Sequence, residues 1–215
     1  ETNGDWGINW YNATGLDGEP GMENEYDYGW TALNDTATWI EVRHKLDMLK
    51  GKDNVKLRIA FGSDAGGSSY GVYFDDVWVG ERSKMVLMEH FTNSSDAGCF
   101  TTDNDLDNLM DNNQGDVIGI RYHTSYPGSD QMNADNPSAP SARSLYYGTS
   151  TVPWSIIDGN VYNDQTTSLL LNPDIIELQA LKDPGFNINL TTNKTSSSVD
   201  VSAEISAFEE FEERN

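Results

Sequence analysis

The chain has 215 residues, of which 35 are acidic and 13 are basic, so its formal net charge is −22. This charge argues against nucleic acid and anionic membranes as partners, because both would repel the chain. The single cysteine excludes a disulfide framework within the chain. No apolar stretch approaches the ~20 residues of a membrane span, so we expect no membrane insertion.

Residues 1–83 are predicted to be all-β. The runs 39–42, 55–61 and 72–79 alternate apolar and polar residues or are rich in β-branched and aromatic residues. Glycine, asparagine, aspartate and serine separate these runs and are typical of turns. The pattern predicts an all-β module over residues 1–83.

The pattern changes after position 83, and residues 84–184 alternate predicted strands and helices. The predicted strands are 85–91, 116–124 and 152–158, and the predicted helices are 101–113, 141–147 and 173–181. Thr101 or Thr102 is expected to cap the first helix, with Phe100 and Leu106 facing the core. Gly148 is expected to end the second helix in a left-handed conformation.

Residues 185–215 return to a strand pattern. We predict strands over 186–190 and 199–205 with a turn at 192–194. Two strands alone are not stable in water. We therefore expect the start of a truncated immunoglobulin-like module, and we interpret the chain as a piece of a longer protein.

The segments 39–52, 55–64 and 71–77 resemble a jelly-roll module of bacterial secreted proteins, similar to MAM and carbohydrate-binding sandwiches. The resemblance implies a jelly-roll β-sandwich for residues 1–83. The resemblance implies a structural or adhesive role, sometimes with bound calcium. Asp64, Asp75 and Asp76 are the candidate calcium ligands, because hard cations prefer several oxygen ligands. The alternative is that one aspartate faces solvent while another caps a turn.

The segments 89–92, 142–148 and 151–159 resemble the thioredoxin-like domain of a family of Bacteroidota outer-membrane and cell-surface proteins. The fold that this resemblance implies is α/β, with a redox loop between the first strand and the first helix. It also implies that Pro153 is a cis-proline facing that loop.

The redox loop departs from the family pattern at its first position. The family carries C-x-x-C, whereas this chain has Asp96 three positions before Cys99. A carboxylate cannot form a mixed disulfide, so we predict no dithiol exchange and no enzyme activity. For Cys99 itself three interpretations stay open: a buried structural residue, a reactive monothiol, or a thiol that pairs with another module or protein.

Other candidate sites carry weaker patterns. His44, His90 and His123 lack metal-ligand spacing, and we expect them at the solvent or at the rim of the core. Asp103, Asp105, Asp107 and Asp111 are predicted to form a solvated helix face. Asp35-Thr36-Ala37 resembles the O-glycosylation pattern of Bacteroidota exported proteins, with Thr36 as the acceptor. The aromatic residues of 6–30 could form either a sugar-stacking platform or a small core.

These patterns favour a non-catalytic piece of a multidomain protein at the surface of, or secreted by, a Gram-negative bacterium. Its expected role is binding, adhesion or spacing between other modules of the same longer chain. Outer-membrane export proteins and surface glycans are the candidate outside partners. The alternatives are a monothiol oxidoreductase that uses Cys99 and a carbohydrate-binding module.

Overall fold

The computed structural model describes residues 7–11, 13–14, 28–30, 39–59, 61, 66, 71–159 and 173–208. These residues form a mixed α/β structure with four α-helices and four small sheets, and no closed barrel occurs among them. The strands are β1 (Gly7–Ile8), β2 (Ala13–Thr14), β3 (Tyr28–Gly29), β4 (Arg43–His44), β5 (Val86–Thr92), β6 (Val117–His123), β7 (Trp154–Ile157), β8 (Phe186–Lys194) and β9 (Val199–Ala207). The α-helices are α1 (Ala97–Asn112), α2 (Gln131–Asp135), α3 (Ser138–Tyr147) and α4 (Pro173–Ala180).

The described N-terminal residues contain less strand than the sequence predicts. β1 pairs with β4, and β2 pairs with β3, each over two residues. The strands predicted at 39–42, 55–61 and 72–79 do not form in the described parts of these segments. Alternation stabilises a strand only where a neighbouring strand completes its hydrogen bonds and buries one face. No described segment pairs with these residues, and side chains such as Leu57 and Trp78 are exposed.

A three-stranded sheet with strand order β6-β5-β7 organises the second half of the chain. β5 is the central strand, parallel to β6 and antiparallel to β7. His90 lies opposite Arg121 on β6 and opposite Ser155 on β7. The strand bounds differ by at most two residues at either end from those predicted from the sequence.

The hydrophobic core lies against the β5 face that α1 and α4 cover. Its members are buried apolar residues from three strands and two helices, namely Val86, Met88, Leu106, Leu109, Val117, Ile157, Ile176 and Ala180. The other face of β5 carries Glu89 and Phe91, which contact Arg143 and Tyr147 of α3. The sheet is therefore covered by helices on both faces, which the strand–helix alternation predicts.

The helices differ from the sequence prediction mainly at their first residues. α1 begins at Ala97, four residues earlier than predicted, and Phe100 is 71% exposed instead of facing the core. The segment after Tyr126, predicted as a loop, contains α2 and the first turn of α3. Gly148 ends α3 with φ 68°, the left-handed conformation that the sequence predicts there.

The hairpin of β8 and β9 is longer than predicted. β8 runs through Lys194, so the predicted turn at 192–194 is wrong, and the turn lies between Thr195 and Ser198. The Thr195 amide donates to the Ser198 carbonyl at 2.8 Å, and the amides of Ser197 and Ser198 donate to the Thr195 hydroxyl. A serine and threonine turn thus replaces the expected asparagine turn.

Replacing the buried Leu106 by alanine should reveal the position of the core. We expect Leu106→Ala to lower the free energy of unfolding by about 2–5 kcal/mol, because it leaves a cavity between α1 and the sheet. Leu145→Ala makes the same chemical change at a side chain that is 84% exposed on α3, and it should change stability by less than about 0.5 kcal/mol. Urea denaturation followed by circular dichroism measures both. Equal losses in the two variants would contradict this core.

Candidate functional site

The loop between β5 and α1 contains Asp96, the residue that is predicted to replace the first cysteine of C-x-x-C. Asp96 is the N-cap of α1, and its side-chain oxygen accepts the Cys99 amide at 2.9 Å. Thr101 and Thr102, the predicted caps, instead donate to carbonyls four residues back within the helix. A carboxylate is favourable at this place because it satisfies an unpaired amide and faces the positive end of the helix dipole.

The Cys99 thiol lies in the first turn of α1 and is fully buried. Burial raises its pKa above 9.0, and the neighbouring Asp96 carboxylate raises the pKa further, while contacts with Thr92 and Asn93 lower it in part. A thiol with a raised pKa is a poor nucleophile, because only the thiolate attacks a disulfide. The geometry favours the interpretation of Cys99 as a buried structural residue.

Pro153 lies against the same loop. The Val152–Pro153 peptide bond is cis, as the sequence predicts. A Cβ atom added to Gly98 would stand 3.8 Å from Pro153 Cδ. Pro153 is therefore close to Gly98, which lies between Asp96 and Cys99 in the chain.

Asn93 ties the loop to the segment that follows β6. Its side-chain amide donates to the carbonyls of Thr124 at 2.8 Å and Gly128 at 2.9 Å. Its Oδ1 accepts the Ser95 amide at 2.8 Å. The side chain of Asn93 is fully buried, so these bonds satisfy polar atoms that have no access to water.

The buried Asp130 carboxylate holds the loop from the other side. It accepts the Ser94 amide at 2.7 Å and the Asn133 amide at 3.1 Å, and it lies 2.8 Å from Nδ1 of His123. Burial alone would raise the pKa of Asp130, but these donors lower it well below its usual range. The carboxylate is thus ionised and stabilises a fixed loop conformation.

A second buried carboxylate, Glu89, lies on β5 and contacts α3. Arg143 donates to it through Nε at 2.6 Å and Nη2 at 2.8 Å, so the pair is bidentate. The hydroxyls of Tyr147 and Tyr122 also donate to it, at 2.5 and 3.2 Å. Burial raises the pKa of Glu89, but the bonds from Arg143 and Tyr147 outweigh burial and lower the pKa below 4.5.

His90, Ser155 and Asp103 form a line of polar groups between the sheet and α1. His90 Nδ1 lies 2.7 Å from Ser155 Oγ. His90 Nε2 lies 3.1 Å from Asp103 Oδ1, though the two are not aligned for a hydrogen bond. This residue set resembles a nucleophilic relay, but Ser155 and His90 are both buried. A substrate therefore cannot reach the serine.

Two sequence predictions are wrong here. His90 is fully buried rather than at the rim of the core. Asp103 is not a solvated residue of the helix face, because it accepts the Thr92 hydroxyl at 2.8 Å and contacts His90. Burial raises the pKa of Asp103, but the contacts with His90 and Thr92 outweigh burial and lower it below 3.8. Arg121 supplies further positive charge beside this carboxylate.

The sequence patterns do not predict the ion pair between Glu89 and Arg143. Both residues belong to segments that carried the family resemblance, but they are 54 positions apart. One signal was present: Glu89 is the single acidic residue within a strongly apolar predicted strand. A buried carboxylate of this kind needs a cation, and residues 85–184 contain only three basic side chains.

The predicted calcium ligands do not converge in the described residues. Asp64 and the predicted glycosylation site Thr36 lie outside them. Asp75 and Asp76 are exposed, and Asp75 Oδ1 accepts the Asp76 amide at 2.9 Å. The part of the chain that the structure describes holds no group of three or more histidine, cysteine or acidic side chains placed for a metal. Calcium binding stays a prediction from the sequence.

Among the aromatic residues of 6–30, Trp10, Tyr11 and Trp30 have described side chains, and these pack against one another. Trp10 contacts Tyr11, Trp30 and His44 with ring centroids 4.5–5.1 Å apart, at tilted or edge-on angles. All four side chains are half-buried. Sugar stacking needs an open ring face, whereas these rings cover one another. The arrangement favours a small core over a sugar platform.

Comparisons with known proteins identify no relative. The chain matches no protein-family model, no curated protein and no solved structure. Within the described ranges, no helix is both long and apolar enough to cross a bilayer. A functional proposal must therefore come from the site geometry and from the sequence resemblance.

The Cys99 thiol should be inert in the folded protein. We expect a thiol reagent such as dithionitrobenzoate to modify Cys99 slowly at pH 8 and rapidly once urea unfolds the chain, because the thiol is buried and its pKa is raised. A Ser95→Cys variant is the matched control, since it places a second thiol at an exposed position of the same loop. Rapid modification of Cys99 in the parent chain would contradict this site.

Removing the Glu89 charge should destabilise the protein in a pH-dependent way. We expect Glu89→Gln to cost about 3 kcal/mol at pH 7, because Arg143 is left without its partner. A carboxyl with a lowered pKa stabilises the fold above its unfolded pKa and loses this contribution as pH falls through its folded pKa. The difference between parent and variant should therefore shrink below pH 4.5.

Urea denaturation at several pH values measures this difference. Glu204→Gln is the control, because Glu204 is exposed on β9, and it should match the parent at each pH. A Glu89→Gln penalty that stays constant or grows on acidification would contradict the ionised state of Glu89.

Proposed function

We propose that residues 84–184 are a thioredoxin-like domain that has lost thiol–disulfide exchange and serves as a binding or spacer module. In this proposal the chain is part of a secreted, cell-surface multidomain protein. The observation that carries the proposal is the Asp96 carboxylate. By the sequence resemblance it stands where the family has its first cysteine, and it accepts the Cys99 amide at 2.9 Å.

The sheet topology supports the thioredoxin-like fold. The resemblance implies an α/β fold in which a loop joins the first strand to the first helix. β5 is the central strand of a three-stranded sheet, parallel to β6 and antiparallel to β7, and residues 93–96 join it to α1. α1 and α4 pack on one face of the sheet, while α3 contacts the other through Arg143.

The chemistry of the loop supports the loss of exchange. Exchange begins when a thiolate at the first position attacks a disulfide sulfur and forms a mixed disulfide. Asp96 has no sulfur, and its charge raises the pKa of the Cys99 thiol, which makes that thiol less reactive. A monothiol activity of Cys99 is disfavoured for the same reason and because the thiol is buried.

The remaining features suit a role outside catalysis. The polar groups of the loop, among them Asn93 and Asp130, are satisfied by neighbouring backbone, which fixes a shape without a reactive atom. The charge of −22 keeps the protein soluble and repels other acidic surfaces. Neighbouring modules of the same longer chain are the partners that we propose first, with export proteins or surface glycans as outside partners.

Insulin reduction in the presence of dithiothreitol tests the proposal. We expect the parent chain to show no turnover above a Cys99→Ala control, because no nucleophile stands at position 96. Turnover of the parent well above that control would overturn the proposal.

The Asp96→Cys variant tests the position of the loop separately. We expect the thiol introduced at position 96 to form a disulfide with Cys99 when oxidised glutathione is added as the oxidant. The loss of two hydrogen atoms in the mass spectrum or a mobility shift on a non-reducing gel detects this disulfide. Asp96→Asn keeps a helix cap without a thiol and should show neither change. Failure of the disulfide to form would show that Asp96 does not occupy the position of the first cysteine.

A further inference from the structure

The boundary between the two predicted modules is crossed by ion pairs. Arg43 and Lys45 lie in or beside β4, and Arg82 lies shortly before β5. We call these three residues the basic seam. Each of them contacts an acidic side chain from residues 84–184. The sequence pattern placed a module boundary at position 83 and gave no reason to expect contacts across it.

Arg43 binds the end of α4. Its Nη1 donates to the Leu181 carbonyl at 2.6 Å and to Asp183 Oδ1 at 2.9 Å, and its Nη2 also bonds Asp183. The last carbonyls of a helix lack partners within the helix, and a cation there complements the negative end of the dipole. Arg43 therefore caps α4 from outside the module to which α4 belongs.

Lys45 and Arg82 form the other two contacts. Lys45 pairs with Glu177 of α4, and these side chains are 10% and 19% exposed. Arg82 Nη2 lies 2.6 Å from Asp116 Oδ2, directly before β6. Pairs this shielded are screened by salt less than surface pairs, and loss of one partner leaves an unpaired charge away from water.

The charge distribution of the chain matches these contacts. Residues 39–83 hold seven of the 13 basic side chains and have no net charge, whereas residues 84–184 carry 14 acidic and four basic side chains. Three of these seven basic residues, those of the basic seam, contact a module with a net charge of −10. Complementary charge of this kind fixes the register in which two surfaces meet.

We propose that the basic seam holds β4 and the residues that follow it, 43–52, on the α/β module in one fixed orientation. Modules joined only by a linker move relative to one another by default, and the seam removes this freedom. Arg82 contacts the sheet edge where β5 and β6 begin, whereas the Asp96 loop follows the other end of β5. The seam thus leaves the loop surface uncovered.

A distance measurement between the two modules tests this proposal. Spin labels at Lys52→Cys and Met132→Cys, both exposed positions, are introduced into the full chain on a Cys99→Ala background. Pulsed electron spin resonance then reports the distribution of the distance between them. We expect a single narrow peak for the chain with an intact seam. A broad distribution would overturn the proposal. This first measurement leaves all three residues of the basic seam unchanged.

Charge exchange at one pair adds a second test. Lys45→Glu and Glu177→Lys should each lose the narrow peak, and the two changes combined should restore it, because the pair is then re-formed with opposite polarity. Lys50→Glu, an exposed position nearby, is the matched control and should keep the peak. Circular dichroism confirms that each variant is folded. An unchanged peak in both single variants, or no recovery in the combination, would overturn the proposal.

Discussion

The α/β module depends on one buried carboxylate, that of Glu89. It lies on the central strand β5, where isolation from water would make an unpaired charge very costly. Arg143 donates two hydrogen bonds to this carboxylate, and the hydroxyls of Tyr147 and Tyr122 donate one each. Through these four side chains one charge connects β5, β6 and α3.

The position of α3 has consequences for the candidate site. α3 ends at Gly148, and the chain then runs directly to the cis Val152–Pro153 bond and into β7. The ring of Pro153 lies against Gly98 in the loop region. An ion pair on one face of the sheet thus helps to place a residue that contacts the loop between β5 and α1.

Hydrogen bonds made by three polar side chains hold the loop between β5 and α1 in a defined conformation. Asp96 caps α1, Asn93 bonds the segment after β6, and Asp130 accepts the Ser94 amide. The contacts of Asn93 and Asp130 satisfy side chains that are buried away from water. The Asp96 carboxylate stabilises the first turn of α1 by accepting the Cys99 amide. Under the proposed function, the same residue also accounts for the loss of thiol–disulfide exchange.

Local patterns in the sequence predicted the α/β part of the fold well. Apolar runs marked β5, β6 and β7, and Gly148 marked the end of α3, because burial and left-handed conformations restrict which residues are suitable. The sequence does not predict the start of α1 correctly, because Thr101 or Thr102 is the expected cap and Asp96 is interpreted only as the replacement of a cysteine. Alternation at 55–61 was overinterpreted, because alternation alone supplies no pairing partner.

Local sequence patterns do not predict ion pairs between residues that are far apart in the chain. Glu89 and Arg143 are 54 positions apart, and Arg43 and Asp183 are 140 apart. Nothing local to either residue specifies its partner, because tertiary packing selects it. The burial of His90 was missed for the same reason, since its partners Ser155 and Asp103 come from β7 and α1.

The most direct test of this account is the pKa of the Glu89 side-chain carboxyl, measured by carbon-detected nuclear magnetic resonance during an acid titration of the intact chain. We expect a midpoint below 4.5, because the bonds from Arg143 and Tyr147 outweigh burial. A midpoint at or above 4.5 would mean that burial dominates and that Arg143 does not pair with Glu89. The contact between α3 and the sheet would then need another explanation.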